Sequence, residues 1–167
     1  GKTTFCKIWE ELGAFVLFAD DFAKNMMVTD GDIIHRIKKI FGEKSYHSDG
    51  SLNRSFLANE AFNKGRVQEL NAIVHPRLWE KADEIAFEKE KEGVEVFVKE
   101  AAILLQNGRP NDLDVVIIIL AEDVLRLDRV VARDRVDEQK VLDRMNRQPE
   151  FEELAHLADY LVMNDGD

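Results

Sequence analysis

Gly1-Lys2-Thr3-Thr4-Phe5-Cys6-Lys7-Ile8-Trp9-Glu10-Glu11-Leu12-Gly13-Ala14-Phe15-Val16-Leu17-Phe18-Ala19-Asp20 decides the fold, and it reads in three pieces. Gly1-Lys2-Thr3-Thr4 matches the closing residues of a Gly-x-x-x-x-Gly-Lys-[Ser/Thr] phosphate loop. In such a loop successive backbone N–H groups wrap the phosphates, the lysine reaches the β/γ oxygens and the hydroxyl holds Mg²⁺. Phe5, Ile8, Trp9 and Leu12 then recur at helical spacing before Gly13, a residue suited to ending a helix, so a helix is predicted over Thr3 to Leu12. Ala14 to Ala19 is a short, continuously apolar run that stops at Asp20-Asp21, the pattern of a strand buried on both faces.

Outward from this stretch the pattern repeats. Val94 to Val98, Val115 to Leu120 and Tyr160 to Met163 are further short apolar runs, each flanked by helical segments. Alternating helix and strand predicts an α/β fold with a parallel sheet between helices, whose ligands gather at the carboxyl ends of the strands. Asp20, Glu100 and Asn164 fall there. Residues 22–93 carry almost only helix signals, among them the stripe Ile33, Ile34, Ile37, Ile40 and Phe41, and read as a helical insertion that closes on a substrate. Ser48-Asp49-Gly50 is a turn signal, and Pro76 is expected to break the helix near His75 because it has no N–H to donate.

Composition narrows the function classes. The 167 residues suit one compact domain, and a net charge of −10 argues against gripping nucleic acid or an anionic membrane over the whole surface. No apolar run approaches the roughly 18 residues of a membrane span. A single cysteine permits no internal disulfide and fits a reducing cytosol, so a cytoplasmic protein is expected; Cys6 lies on the apolar side of the first helix and is expected to be buried. From Glu122 to Gln148, two charged helices separated near Asp134 to Asp137 hold Arg126, Arg129, Arg133, Arg135, Arg144 and Arg147 among as many acids as bases. Such faces are commonly solvated and laced by i,i+4 pairs. Beside a phosphate loop, the same hairpin reads equally as a lid over transferring phosphates.

In order along the chain, Gly-Lys-Thr-Thr, Glu10 to Ala14, Ala19-Asp20, Asp49 to Arg54, His75-Pro76, Glu100 to Leu104, Ala132-Arg133-Asp134, Arg144 with Gln148, and Ala158 to Gly166 resemble the dephospho-coenzyme A kinases over essentially the whole chain. The resemblance implies a three-layer α/β/α P-loop kinase fold. Its nucleotide-binding core would comprise residues 1–21, 94–121 and 151–167, with a helical CoA-substrate region at 22–93 and a lid at 122–150. The implied reaction is ATP-dependent phosphorylation of the ribose 3′-hydroxyl of dephospho-CoA, the last step of coenzyme A synthesis. Asp20 would be the general base, acting with Lys2 and Arg133. Gly1, Lys2, Thr3, Thr4, Arg133, Arg144, Asn164 and Gly166 would hold ATP, with Mg²⁺ on Thr3. Asp20, Asp49, His75, Pro76 and Glu100 would meet the substrate. Small molecules are then the only partners expected, with no nucleic acid or membrane, and a monomer because helix packing is expected to leave no apolar stripe exposed.

The chain departs from that family's pattern in places. Phe18-Ala19-Asp20 stands where Asp-Ala-Asp is usual, Leu105-Gln106-Asn107-Gly108 stands for Phe-Glu-Ser-Gly, and Lys99 brings a cation to a strand end. The upstream glycines and first strand of such a core are expected to precede Gly1, and the piece without them is expected to bind ATP poorly. Other readings stay open. Asp20 is a helix cap on its sequence context alone, and His75 a cap at a helix break. The whole chain is alternatively another P-loop kinase of small metabolites or nucleotides, or a degenerate nucleotide-binding protein without catalysis.

Overall fold

Four short strands, all paired in parallel, and the helices between them realise the alternation among the described residues. The computed structural model describes residues 1–102, 104–105, 108–145 and 153–166, and for Asp134, Lys140 and Arg144 the backbone alone. Contacts group the chain into two compact units, Cys6–Ala101 and Gly1–Phe5 with Ala102–Asp167.

Helix α1 (Lys2–Glu11), which belongs to the unit Cys6–Ala101 from Cys6 onward, leads through Gly13 into β1 (Phe15–Phe18), which passes without a loop into α2 (Ala19–Thr29). Helices α3 (Gly31–Phe41), α4 (Arg54–Ala58) and α5 (Val67–Lys91) follow, then β2 (Phe97–Glu100). β1 and β2 pair in register from Phe15↔Phe97 to Phe18↔Glu100, with the first pair of rings stacked at 5.3 Å. The strand expected at Val94 to Val98 begins later because the Val94 amide is already used by the carbonyl of Lys89, closing α5. Cys6 is buried, as expected.

The helical region has its own core. Ile33, Ile37 and Phe41, spaced by four on α3, pack with Met26, Tyr46, Leu52, Leu57, Ile73, Val74 and Leu78, and Ala19 joins them from the start of α2. The Tyr46 hydroxyl donates to the Met27 carbonyl at 2.7 Å, and burial pushes that phenol up to about 12. Nearby, the Ser45 hydroxyl is buried without a hydrogen-bond partner.

The break expected at Pro76 does not occur: α5 runs straight through it. A proline inside a helix costs about 3 kcal/mol. Fully burying one large aliphatic side chain returns about 1.5–3 kcal/mol, and Ile73, Val74, Leu78 and Ala82 are buried on both sides of Pro76, so continuity prevails.

Asp30 ties three of these helices together. Its carboxylate accepts the amides of Asp32 and Ile33, capping α3, and pairs with Arg77 of α5 at 3.0 Å. Burial pushes this carboxyl up, but the Ile33 amide, the Arg77 hydrogen bond and charge, and the Asp32 amide together hold it below the usual 3.8. The unfolded chain therefore binds more protons in that window, so the stabilisation is complete above pH 3.8 and is lost as pH falls through the folded value. Asp30→Ala is expected to cost about 1–2 kcal/mol at pH 7 by urea unfolding, with the gap to wild type narrowing in acid. A gap that stays constant down to pH 3 would contradict this account.

In the other unit, β3 (Ile117–Leu120) pairs with β4 (Tyr160–Met163) from Ile117↔Tyr160 to Leu120↔Met163. Leu105, Val116 and Ile118 form its core with Leu113, Leu120, Leu154, Leu157 and Ala158. Asp159 secures the start of the ladder by accepting the Val116 amide at 2.8 Å and pairing with Arg109 at 2.8 Å. Helices α6 (Asp123–Asp134) and α7 (Glu138–Met145) form the charged pair read in the sequence, separated at Arg135 in the left-handed region, φ 51°.

Two expectations need correction. The four strands form two two-stranded sheets among the described residues, not one. Apolar surface also remains exposed: among the described residues β4 is paired with β3 alone, and Tyr160, Leu161 and Met163 are all at least half exposed. The argument for a monomer from a lack of leftover apolar surface therefore falls.

Candidate active site

Because β1 feeds α2 directly, the first turn of α2 stands at the carboxyl end of the β1–β2 pair, where Phe18 is opposite Glu100. Asp20 lies in that turn with its side chain exposed, next to the anchored Ala19, which is 2% exposed. The cap reading of Asp20 is corrected here. Phe18 occupies the cap position with no side-chain hydrogen bond, and Asp20 is inside the helix, where the positive end of the helix dipole favours a carboxylate.

His75, on α5, is half-buried. Burial pushes its imidazole below the usual 6.5, and the negative charge of Asp20 partly opposes that, which places the two side chains within electrostatic reach. His75 is thus neutral at pH 7, with one ring nitrogen donating and the other accepting. Its titration by NMR is expected to have a midpoint below 6.5, and Asp20→Asn should lower it further by removing the one charge that raises it. A midpoint unmoved by Asp20→Asn would separate the two residues.

One helical turn beyond His75, Trp79 lies under the Lys99 ammonium, 5.8 Å from the ring centre, and that ammonium pairs with Asp83 at 2.8 Å. Only 8% of the Lys99 side chain is exposed, so this departure from the family pattern is spent on joining β2 to α5. Asp49 sits in an exposed turn. Its carboxylate accepts the Ser51 hydroxyl at 2.6 Å and the Ser51 amide at 2.9 Å, which hold it below its usual value. Asn53 then caps α4 through the Phe56 amide. In this structure the Asp49 to Arg54 element is a turn followed by a helix start.

In the other unit, Gly1 accepts the first backbone bond of α1, from the Phe5 amide at 3.0 Å, and Lys2, Thr3 and Thr4 make the first turn, where N–H groups and the dipole suit an anion. A Cβ on Gly1 would come within 2.3 Å of Asn164 Nδ2 and 3.2 Å of Ile119 Cγ2. The glycine is what allows Asn164 so close, and the fold thereby joins two of the ATP residues expected from sequence. Asn164 continues β4, its amide donating to the Leu120 carbonyl at 2.8 Å.

The loop from Asn164 to Gly166 is held by residues that the sequence did not single out. Arg129 donates to the Asn164 carbonyl at 2.6 Å and to the Gly166 carbonyl, and the Glu122 amide donates to Asp165 at 2.9 Å. Nothing in the charge pattern distinguishes Arg129 from its neighbours on α6; only its place one helical face from Glu122 does. Arg133 is exposed on α6. Gln106, Asn107, Arg147 and Gln148 lie outside the described residues, as does the Arg144 side chain. Among the described residues no group of three or more His, Cys, Asp or Glu side chains could hold a metal ion, and no helix is long and apolar enough to cross a membrane.

The family model described as dephospho-CoA kinase matches residues 1–167. A protein named dephospho-CoA kinase from Salinibacter ruber is 40% identical over 167 residues, covering 99% of this chain and 84% of that one. Another of the same name from Chlorobaculum tepidum is 36% identical over 171 residues, covering 99% and 82%. Among solved structures, a dephospho-CoA kinase from Campylobacter jejuni superposes with a TM-score of 0.69 at 26% identity over 99% of this chain and 83% of that one. A crystal structure from Thermus thermophilus gives 0.78 at 26% identity over 100% and 84%. With its parallel strands, strand-end acid and phosphate-loop residues, the chain belongs to the dephospho-CoA kinase family.

Proposed function

We propose that this chain transfers the γ-phosphate of ATP to the ribose 3′-hydroxyl of dephospho-CoA, giving CoA and ADP. The observation that carries the reading is the family match along the whole chain, together with an exposed aspartate at a strand end beside a neutral histidine. In this mechanism Asp20 accepts the 3′-hydroxyl proton as the oxygen attacks the γ-phosphorus in line and the bond to the β-phosphate oxygen breaks. Lys2 neutralises charge on the β/γ oxygens, Arg133 does so from α6, and the amides at the start of α1 cradle the phosphates. Thr3 is the hydroxyl that would hold Mg²⁺, and the ion would supply positive charge to offset that of the phosphates. His75, next to Pro76, offers a ring N–H to a substrate oxygen, and Glu100 borders the same strand end. Arg144, Thr4, Gly1, Asn164 and Gly166 complete the ATP contacts, and Asp49 is a further substrate contact.

On this reading residues 22–93 bind the CoA precursor and 122–150 act as the lid over a nucleotide core formed by the remainder. We take the enzyme to work in the cytoplasm. The test is ADP release from MgATP by the natural full-length protein with dephospho-CoA, adenosine, AMP or no acceptor, with the product identified by mass. Release that needs dephospho-CoA and yields CoA supports the proposal. Release with a nucleotide acceptor alone moves the chain to another P-loop kinase activity, and no acceptor-dependent release moves it to a binder without catalysis.

A further inference from the structure

We propose that Arg129 is a positioning residue that fixes the Asn164–Gly166 loop at the adenine end of ATP, acting through the loop and not on the nucleotide. The inference rests on the reading of that loop as the adenine side of the site. Its support is the way α6 and the loop hold each other. Glu122 begins α6 with no side-chain cap of its own, and its amide is taken instead by the Asp165 carboxylate at 2.9 Å. Two turns later, on the same face of the helix, Arg129 returns the contact. Its two terminal nitrogens go to the carbonyls of Asn164 and Gly166, one at 2.6 Å. A planar guanidinium suits this bridging, because its fork can serve two acceptors at once without losing its charge. Arg126, one turn back, pairs with Asp123 at 2.7 Å on its own helix.

The held loop sets where Asn164 points. That side chain lies against Gly1, close enough that a Cβ there would meet its Nδ2 at 2.3 Å. Releasing the carbonyls from Arg129 frees the backbone on which the Asn164 amide is mounted, so the loss falls on recognition of the base and not on phosphoryl transfer.

The experiment compares Arg129→Gln, Arg129→Lys and Asp165→Ala with the wild-type full chain. Steady-state kinetics are measured with ATP and with GTP, and ATP affinity is measured separately by calorimetry. Loss of a charged hydrogen bond corresponds to about a tenfold change in affinity. Arg129→Gln should raise KM for ATP and weaken ATP binding by about that factor. kcat and KM for dephospho-CoA should stay within about twofold, and the preference for ATP over GTP should narrow. Arg129→Lys, which keeps the charge but not the fork, should fall between, and Asp165→Ala, which cuts the other tether, should shift the same parameters in the same direction.

An effect in Arg129→Gln with Asp165→Ala silent would mean that Arg129 touches ATP directly, and the proposal fails. A uniform fall in every parameter with a lowered Tm would mean a role in folding only, and it fails again. If the wild type does not phosphorylate dephospho-CoA, that counts against the proposed function, while calorimetry with ATP still decides the role of Arg129.

Discussion

Asp20→Asn is expected to lower turnover by about 10² to 10⁴ while leaving KM for ATP within about threefold. The substitution keeps size and shape but, on the proposed mechanism, removes the acceptor for the 3′-hydroxyl proton, so the loss should fall on kcat. Stability gives little room for another explanation. Asp20 is exposed and makes no cap bond, and its stake in the fold is a carboxylate near a helix N-terminus, worth about 0.3–1 kcal/mol. Because Ala19 is buried in the core and Phe18 is in register with Glu100, the backbone that carries Asp20 is set by its neighbours and not by its own side chain. Near-normal turnover in Asp20→Asn would remove it from the mechanism. A fall accompanied by an equal rise in KM for ATP would assign it to binding.

The largest effect on folding is expected at Ile37. It is fully buried at the centre of α3, among the side chains that hold α2, α3 and α5 together. Ile37→Ala removes buried carbon and leaves a cavity, for a loss of about 2–5 kcal/mol. Measured as the urea midpoint at constant slope, that is a shift of about 30-fold or more in the ratio of folded to unfolded chains. The consequence reaches the site because Val74, in the same core, precedes His75. A loss below about 1 kcal/mol would mean that the surrounding helices collapse into the space, and that this core is less tightly specified than its burial indicates.

Much of the architecture was legible because period and burial agree. The stripe on α3 gave a buried face, the run before Asp20 gave a strand, and the two charged helices with their break were placed within a few residues. Strand limits were less legible. Val94 looks like a strand residue, yet its amide closes α5, and Lys99 reads as a cation at a strand end, yet it lies within β2 and its charge is absorbed by Asp83 and Trp79. Both outcomes depend on partners distant in sequence. Pro76 failed as a helix breaker for the same reason, since the burial that outweighs it is tertiary.

The site divides similarly. Asp20 lies within electrostatic reach of His75, and Gly1 lies against Asn164; neither pairing was read from the sequence. Asp49 is engaged with Ser51, a local use that its turn signal already contained. Arg129 was hidden because its partners are carbonyls, which carry no residue identity and leave no trace in sequence.

The chain has one thiol, Cys6, buried on the helix that begins with the phosphate-loop residues. A thiol-specific reagent therefore has no competing target, and it reaches its target only when α1 opens. In the limit where closing outpaces reaction, the modification rate divided by that of an unfolded thiol is the opening equilibrium of α1. That helix thus carries its own chemical clock, one that denaturant would quicken and that, on the proposed function, nucleotide bound at its first turn would slow.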